Sequence, residues 1–89
     1  MVDNEKIRNE AIEFLGEEML DKMKGWLKDK KTLFPLLVED NITISTNIYL
    51  FTPLKNHIRK NNPQIDEEMT YDKFEDYLYC MVEDIVKSL

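Results

Sequence analysis

The amino-acid sequence predicts a small, mainly α-helical single domain over residues 1–89, with two long amphipathic helices, a short helix and a short central β element. Three observations lead to this fold class. Apolar residues recur at threes and fours over residues 4–30 and again over the last twenty residues. Only two glycines and three prolines are present, which leaves little room for long loops. Between the helical stretches, Ile42 to Phe51 alternate as a half-buried strand does. An all-α bundle of three or four helices is the alternative if that middle stretch is helical.

The first helix is expected over residues 4–30. Its apolar stripe is Ile7, Ala11, Phe14, Leu15, Met19, Met23, Trp26 and Leu27, with Lys6, Glu10, Glu13, Glu17, Lys24, Lys28 and Lys31 opposite. Asp3 or Asn4 can cap it, because a short polar side chain there accepts from a free amide of the first turn. Gly16 interrupts the stripe at a cost of about 1 kcal/mol relative to Ala. It marks either a kink or a close approach by another element. Gly25 lies where the helix can end.

Residues 32–38 are an apolar run around Pro35, read either as a helical turn begun by proline or as a strand at Leu36 to Val38. In Ile42 to Phe51, extended backbone puts Ile42, Ile44, Ile48 and Leu50 on one side and Thr43, Ser45, Asn47, Tyr49 and Phe51 on the other. Pro53 favours this reading over a continuous helix. Inside a helix, proline loses one hydrogen bond and clashes one turn back, costing about 3 kcal/mol. Just after a Thr52 cap it fits, so a short helix is expected over 53–61. Pro63 ends it by disfavouring helical geometry at Asn62. The last helix starts at Glu67 capped by Asp66, or at Tyr71 capped by Thr70, and runs nearly to Leu89. Its stripe is Tyr71, Phe74, Leu78, Met81, Val82, Ile85 and Leu89. The expected core joins Phe14, Leu15, Met19 and Met23 to Phe74, Leu78, Met81 and Ile85.

Charge narrows the function classes. The formal net charge is −6, distributed as −4 over residues 1–23, +3 over 24–31, −2 over 32–54, +3 over 55–64 and −6 over 65–89. General nucleic-acid or anionic-membrane binding wants the opposite sign. No apolar run approaches the ~18 residues of a spanning helix, and Val2 to Lys6 is too polar for a secretion signal. A cytoplasmic location follows as the expectation, so the Asn41-Ile42-Thr43 sequon carries no weight. The lone Cys80 fits a reducing compartment.

Chemistry-bearing residues are sparse. His57 is the single histidine, and Cys80 falls outside the core stripe beside several acids, which raise a thiol pKa. One Cys and one His do not make a zinc site, and Glu13, Glu17, Glu18 and Asp21 lack the histidines of a di-iron bundle. No glycine-rich phosphate loop is present. No catalytic, cofactor or metal site is therefore expected, and the chain is read as a non-enzyme.

The last helix offers the leading candidate. Asp72, Asp76 and Glu83 form an outward strip flanked by Glu75 and Tyr79, and acids continue late in the helix, where the dipole does not favour them. The expectation is a non-catalytic interaction module: a small acidic adaptor or inhibitor whose partner is a protein, with basic nucleic-acid-handling proteins the class the charge fits. The alternative is a dimeric, sequence-specific DNA-binding protein using Thr43, Ser45 and Asn47 on the strand, with Lys55, Arg59 and Lys60 on phosphates. It is similar to the ribbon-helix-helix arrangement in element order alone, and the net charge makes nucleic acid the less expected partner. A homodimer, with the domain serving as an assembly unit, is compatible with either reading.

Overall fold

The computed structural model describes residues 2–30 and 50–89. Among the described residues there are four helices: α1 (Asn4–Lys30), α2 (Thr52–Asn61), α3 (Ile65–Glu68) and α4 (Tyr71–Lys87). Helix α1 packs against both α2 and α4. No strand occurs among these residues, which form a small, mainly helical domain; of the stretch expected as β, only Leu50 and Phe51 are among them.

Asp3 starts α1: its Oδ1 accepts from the Lys6 amide at 3.1 Å. The helix then breaks at Gly16, whose φ of 79° and ψ of 160° interrupt the helical backbone. That region is essentially closed to side-chain-bearing residues, so glycine is required by torsion. Space is not the reason, since a Cβ there meets nothing within 4 Å. The break changes which face is buried. Before it, Ile7, Ala11 and Leu15 are buried at a spacing of four; after it, Leu20 and Met23 are buried. A straight helix would have continued the stripe through Met19, which is only half-buried. Phe14, expected in the core, is 39% exposed.

The middle of the chain departs most from expectation. Leu50 and Phe51 wind as a wide, π-type turn running into α2, and Phe51 has helical φ and ψ of −72° and −42°. The extended segment expected over 42–51 is therefore wrong at its last two residues; residues 42–49, and the run at 32–38, lie outside the described residues. Thr52 is itself helical and is not the cap. Pro53 still occupies the first turn of α2, where no partner is required of its nitrogen. A wide turn just ahead of it also gives the ring room that a regular α turn would deny.

Asn62 ends α2 in a non-helical conformation before Pro63. Its carbonyl accepts from the Ile65 amide at 3.0 Å, which turns the chain into α3. Of the two starts considered for the last helix, the later is observed: Thr70 Oγ1 accepts from the Lys73 amide at 3.2 Å. Phe74, Leu78, Val82, Ile85 and Val86 form the buried stripe of α4. Met81 is half-buried, while Tyr71 and Leu89, at the two ends of the helix, are exposed.

The core joins these residues to Phe51, Leu54, Ile58 and Ile65. Polar ties fix the order of the helices around it. Tyr77 Oη donates to Asn4 Oδ1, and Arg8 donates to Asp84 Oδ2 at 2.8 Å. Rising numbers on α1 thus meet rising numbers on α4, so the two helices run the same way where they touch. On the α2 side, Lys6 Nζ donates to the Asn61 carbonyl at 3.1 Å, and the buried Asn62 amide donates to Glu10 Oε2 and the Ile58 carbonyl, both at 2.9 Å.

The two glycines should respond oppositely to substitution. Gly16→Ala is expected to cost about 1–3 kcal/mol through forced torsion. Gly25, in ordinary helical conformation with open space around its Cα, should gain up to about 1 kcal/mol on conversion to Ala. Urea midpoints of the two single variants check the pair, and equal shifts would contradict the break at Gly16.

Candidate functional site

The sequence places two candidate surfaces on the C-terminal half, the acidic strip of α4 and the basic cluster of α2. Folding brings parts of them together. Lys55 projects from the first turns of α2 into the interface with α4, where its side chain is 4% exposed. Its ammonium donates to Glu75 Oε2 at 2.8 Å and to Tyr71 Oη at 2.8 Å. It also lies 5.0 Å from the Phe51 ring centroid and 4.9 Å from that of Tyr71. The bonded phenol oxygen sits at the ring's rim, so Tyr71 acts on the ammonium chiefly through its hydroxyl. Lysine's four-carbon stem covers apolar surface on the way to these partners, which is how a charged residue occupies a core-facing position.

Lys55 has its pKa held above the ordinary lysine value of 10.5. Burial, the largest single influence, pulls it down; the hydrogen bonds and negative charge from Glu75 and Tyr71 together outweigh that pull. Arg59, one turn on, donates to Asp66 Oδ1 at 2.9 Å and stands 5.7 Å from the Tyr71 ring. Two of the three bases expected to meet phosphates are thus engaged within the fold, and only Lys60 is exposed without such a tie. Thr43, Ser45 and Asn47, the base-reading residues of the DNA-binding alternative, lie outside the described residues.

On α4 the strip divides. Glu75 is half-buried and committed to Lys55. Glu83 has a side chain 14% exposed and pairs with Lys87 at 3.4 Å, one turn on. Tyr79 is half-buried against the core. Asp72 and Asp76 are exposed, and neither makes an ion pair or hydrogen bond among the described residues. Asp84, which the sequence reading did not single out, is exposed too and carries the bridge to Arg8.

His57 and Cys80 are placed apart. The His57 ring lies 5.0 Å from the Phe14 ring at an interplanar angle of 33°, and its Nε2 is 3.2 Å from Asn61 Nδ2. The amide can donate to this nitrogen in the tautomer that leaves Nε2 unprotonated. This contact accounts for Phe14 outside the core. Cys80 is exposed on the α1 side of α4. An open groove of about 460 Å³ lies there, lined by Asn4, Glu5 and Arg8 of α1 and by Tyr77, Cys80, Met81 and Asp84 of α4. Tyr77 has its phenol pushed above the ordinary value of 10.0, by burial first and by the charge of Asp3 second. The groove was not legible beforehand, because it needs the packing angle between two helices more than sixty residues apart. Among the described residues, no three His, Cys, Asp or Glu side chains converge as metal ligands would. Likewise no described helix is long and apolar enough to cross a membrane.

The chain matches no protein-family model, no curated protein and no solved structure. Its chemistry has to be read from its own surface.

Removing the two partners of the Lys55–Glu75 pair should cost unequal amounts. Glu75→Gln strands an ammonium that is almost wholly buried, and roughly 3 kcal/mol is expected, at the low end for a buried pair because Glu75 reaches solvent. Lys55→Met leaves only a carboxylate that can hydrate, so the loss should be smaller. Denaturant unfolding of the two single variants makes the comparison.

The same group sets an alkaline limit. A folded-state pKa above the unfolded value means the native state holds its proton more tightly. That stabilisation is complete below about pH 10 and is lost as pH rises through the folded value. Lys55 and Tyr77 both act in this direction. Stability measured from pH 8 to 12 should therefore fall above about pH 10. The fall should be shallower in Lys55→Met and in Tyr77→Phe, and shallowest in the double variant. A slope unchanged in all three would contradict the assignment.

Proposed function

We propose that this protein is a non-catalytic interaction module, a small acidic adaptor or inhibitor, that docks a protein partner on the outer face of α4. The observation carrying this reading is the pair Asp72 and Asp76, exposed and without ion-pair partners among the described residues, while Lys55, Arg59 and Arg8 are all engaged in the fold. Each ion pair among the described residues takes one base and one acid, and Asp72 and Asp76 are acids left outside these pairs on an exposed face. The two carboxylates are four residues apart, about 6 Å along the axis at 1.5 Å per residue. A basic partner can meet both at once.

The strip narrows from its sequence-based extent. Asp72 and Asp76 are its exposed centre, Glu83 its shielded edge, and Glu75 and Tyr79 hold the helix in place. A basic, nucleic-acid-handling protein is the partner class this charge suits, in a cytoplasmic setting. Such a surface uses charge for steering and selectivity more than for raw affinity, so binding should weaken as salt rises.

The triple variant Asp72→Lys/Asp76→Lys/Glu83→Lys tests this reading. Exposed Glu13, Glu17 and Glu18 on α1, reversed together, give a control of identical net charge. Partner capture should fall about tenfold or more in the first variant, a difference of 1.4 kcal/mol, and little in the control. Equal retention in both removes the acidic face as the docking surface; equal loss reduces it to net charge.

A further inference from the structure

The groove between α1 and α4 has a chemistry that the acidic strip alone does not. Its floor is apolar: the body of Tyr77, the Cys80 thiol and the half-buried Met81. Methionine is unbranched and adapts to whatever apolar group is pressed on it. Its walls are two helices running in the same direction where they touch, and a channel of that kind is where a third helix packs its ridges. At about 460 Å³ the groove holds a few side chains. A second, smaller pocket, an extension of about 240 Å³, adjoins it, sharing Cys80 and Asp84 and lined also by Glu83 and Lys87.

The charges of the walls favour a cationic occupant. Glu5 is exposed and forms no ion pair among the described residues. Asp84 has a side chain 70% exposed, and only its Oδ2 is taken by Arg8. Arg8 is the one base of the lining and is already spent on Asp84 and, at 3.5 Å, on Ser88 Oγ. Lys87, on the extension, is tied to Glu83. Asp3 adds another carboxylate at the α1 end. The positive end of the α1 dipole, about half a charge, offsets part of this and not all of it. The charge of Asp3 reaches the Tyr77 phenol, where it adds to burial in raising the pKa. Cys80 follows Asp72 and Asp76 at the next four-residue step of α4, so the groove opens beside the exposed acids.

We propose that this groove seats a basic amphipathic helix of a partner protein, with one or two apolar side chains on Tyr77, Cys80 and Met81 and arginine or lysine side chains against Glu5 and Asp84. The proposal rests on the reading of α4 as a docking face and gives that face its apolar anchor. The Arg8–Asp84 pair reaches solvent on both sides, and water screens pairs of that kind until they hold little. An incoming guanidinium can share or displace it at little cost. Asp72 and Asp76 then meet basic side chains beyond the anchor.

The probe is a synthetic fourteen-residue peptide with leucines at helical spacing and arginines flanking them, beside a scrambled peptide of the same composition. Each is titrated into the full chain, with backbone amide spectra and the rate of Cys80 alkylation as readouts. The amphipathic peptide should shift Tyr77, Cys80, Met81 and Asp84 and slow alkylation severalfold, and the scrambled peptide should do neither. Cys80→Trp, which fills the groove from an exposed position, should weaken binding about tenfold, and Cys80→Ser should not. Glu5→Lys, which alters only wall charge, should weaken it as well.

Equal effects of both peptides overturn the proposal, and so does binding unchanged by Cys80→Trp and Glu5→Lys. If the peptide shifts only Asp72 and Asp76, the groove is overturned while the acidic-face reading stands. Binding to neither region overturns both. A molecular mass that falls from dimer to monomer on Cys80→Trp assigns the groove to a second copy of the chain and overturns the basic-helix occupant.

Discussion

One backbone position decides how the first helix can serve two neighbours. Helix α1 must bury apolar groups against α2 and α4 along a length over which a straight stripe drifts. The interruption at Gly16 resets the stripe, so that Leu20 enters the core after Leu15 and the charged Glu17 and Glu18 stay outside. Glycine within a helix costs about 1 kcal/mol relative to alanine. Fully burying a leucine contributes about 1.5–3 kcal/mol. Burial of Leu20 thus helps to offset the weakening that glycine brings to the helix. Phe14, just before the break, packs on His57 at the surface.

Charge is arranged by the same packing. Sequence counting gives two basic clusters between acidic ends, but it cannot say which charges meet. In the fold, the cluster at 55–60 is a seam: Lys55 joins α2 to Glu75 of α4, and Arg59 joins it to Asp66 of α3. The helix dipole accounts for bases late in α2 but not for a lysine in its first turns, where a positive charge is disfavoured. That placement makes sense only through Glu75, twenty residues away. Each such pair takes one base and one acid, so the net charge of −6 is unchanged by pairing, and the fold decides only where the unpaired acids lie.

Helix positions were legible because they depend on local periodicity and capping. The long N-terminal helix, the short helix after Pro53 and the Thr70 cap of the last helix all carry their signals within a few residues. What failed depends on longer range or on competing local rules. The alternation of residues 42–51 suits a strand, and Pro53 tips the choice toward it as a helix start; Pro53 is equally compatible with a widened turn upstream, and Leu50 and Phe51 are helical instead. The exposure of Phe14 goes with its contact to His57, more than forty residues away. Burial of Lys55 and Asn62 requires Tyr71, Glu75 and Glu10, partners with no sequence proximity. Of the candidate site, the exposed acids Asp72 and Asp76 could be placed from the helical wheel, whereas the groove beside them could not.

The ties that hold α4 bear on what its surface can do. Tyr77 is fixed to Asn4, Asp84 to Arg8 and Glu75 to Lys55, on two sides of the helix. None of these contacts involves Asp72 or Asp76, so α4 is held in orientation while its outermost carboxylates stay available. A surface on a rigid element loses little conformational entropy when a partner arrives, and only interactions in excess of that loss appear as affinity. Flexible acidic tails have the charge but incur the ordering cost on every encounter. Here that cost is met during folding, by the buried stripe from Phe74 to Val86 and by the polar ties around it. Weakening the Lys55–Glu75 pair should then lower partner affinity without touching a contact residue, because it returns to the binding step an entropy that folding had already removed.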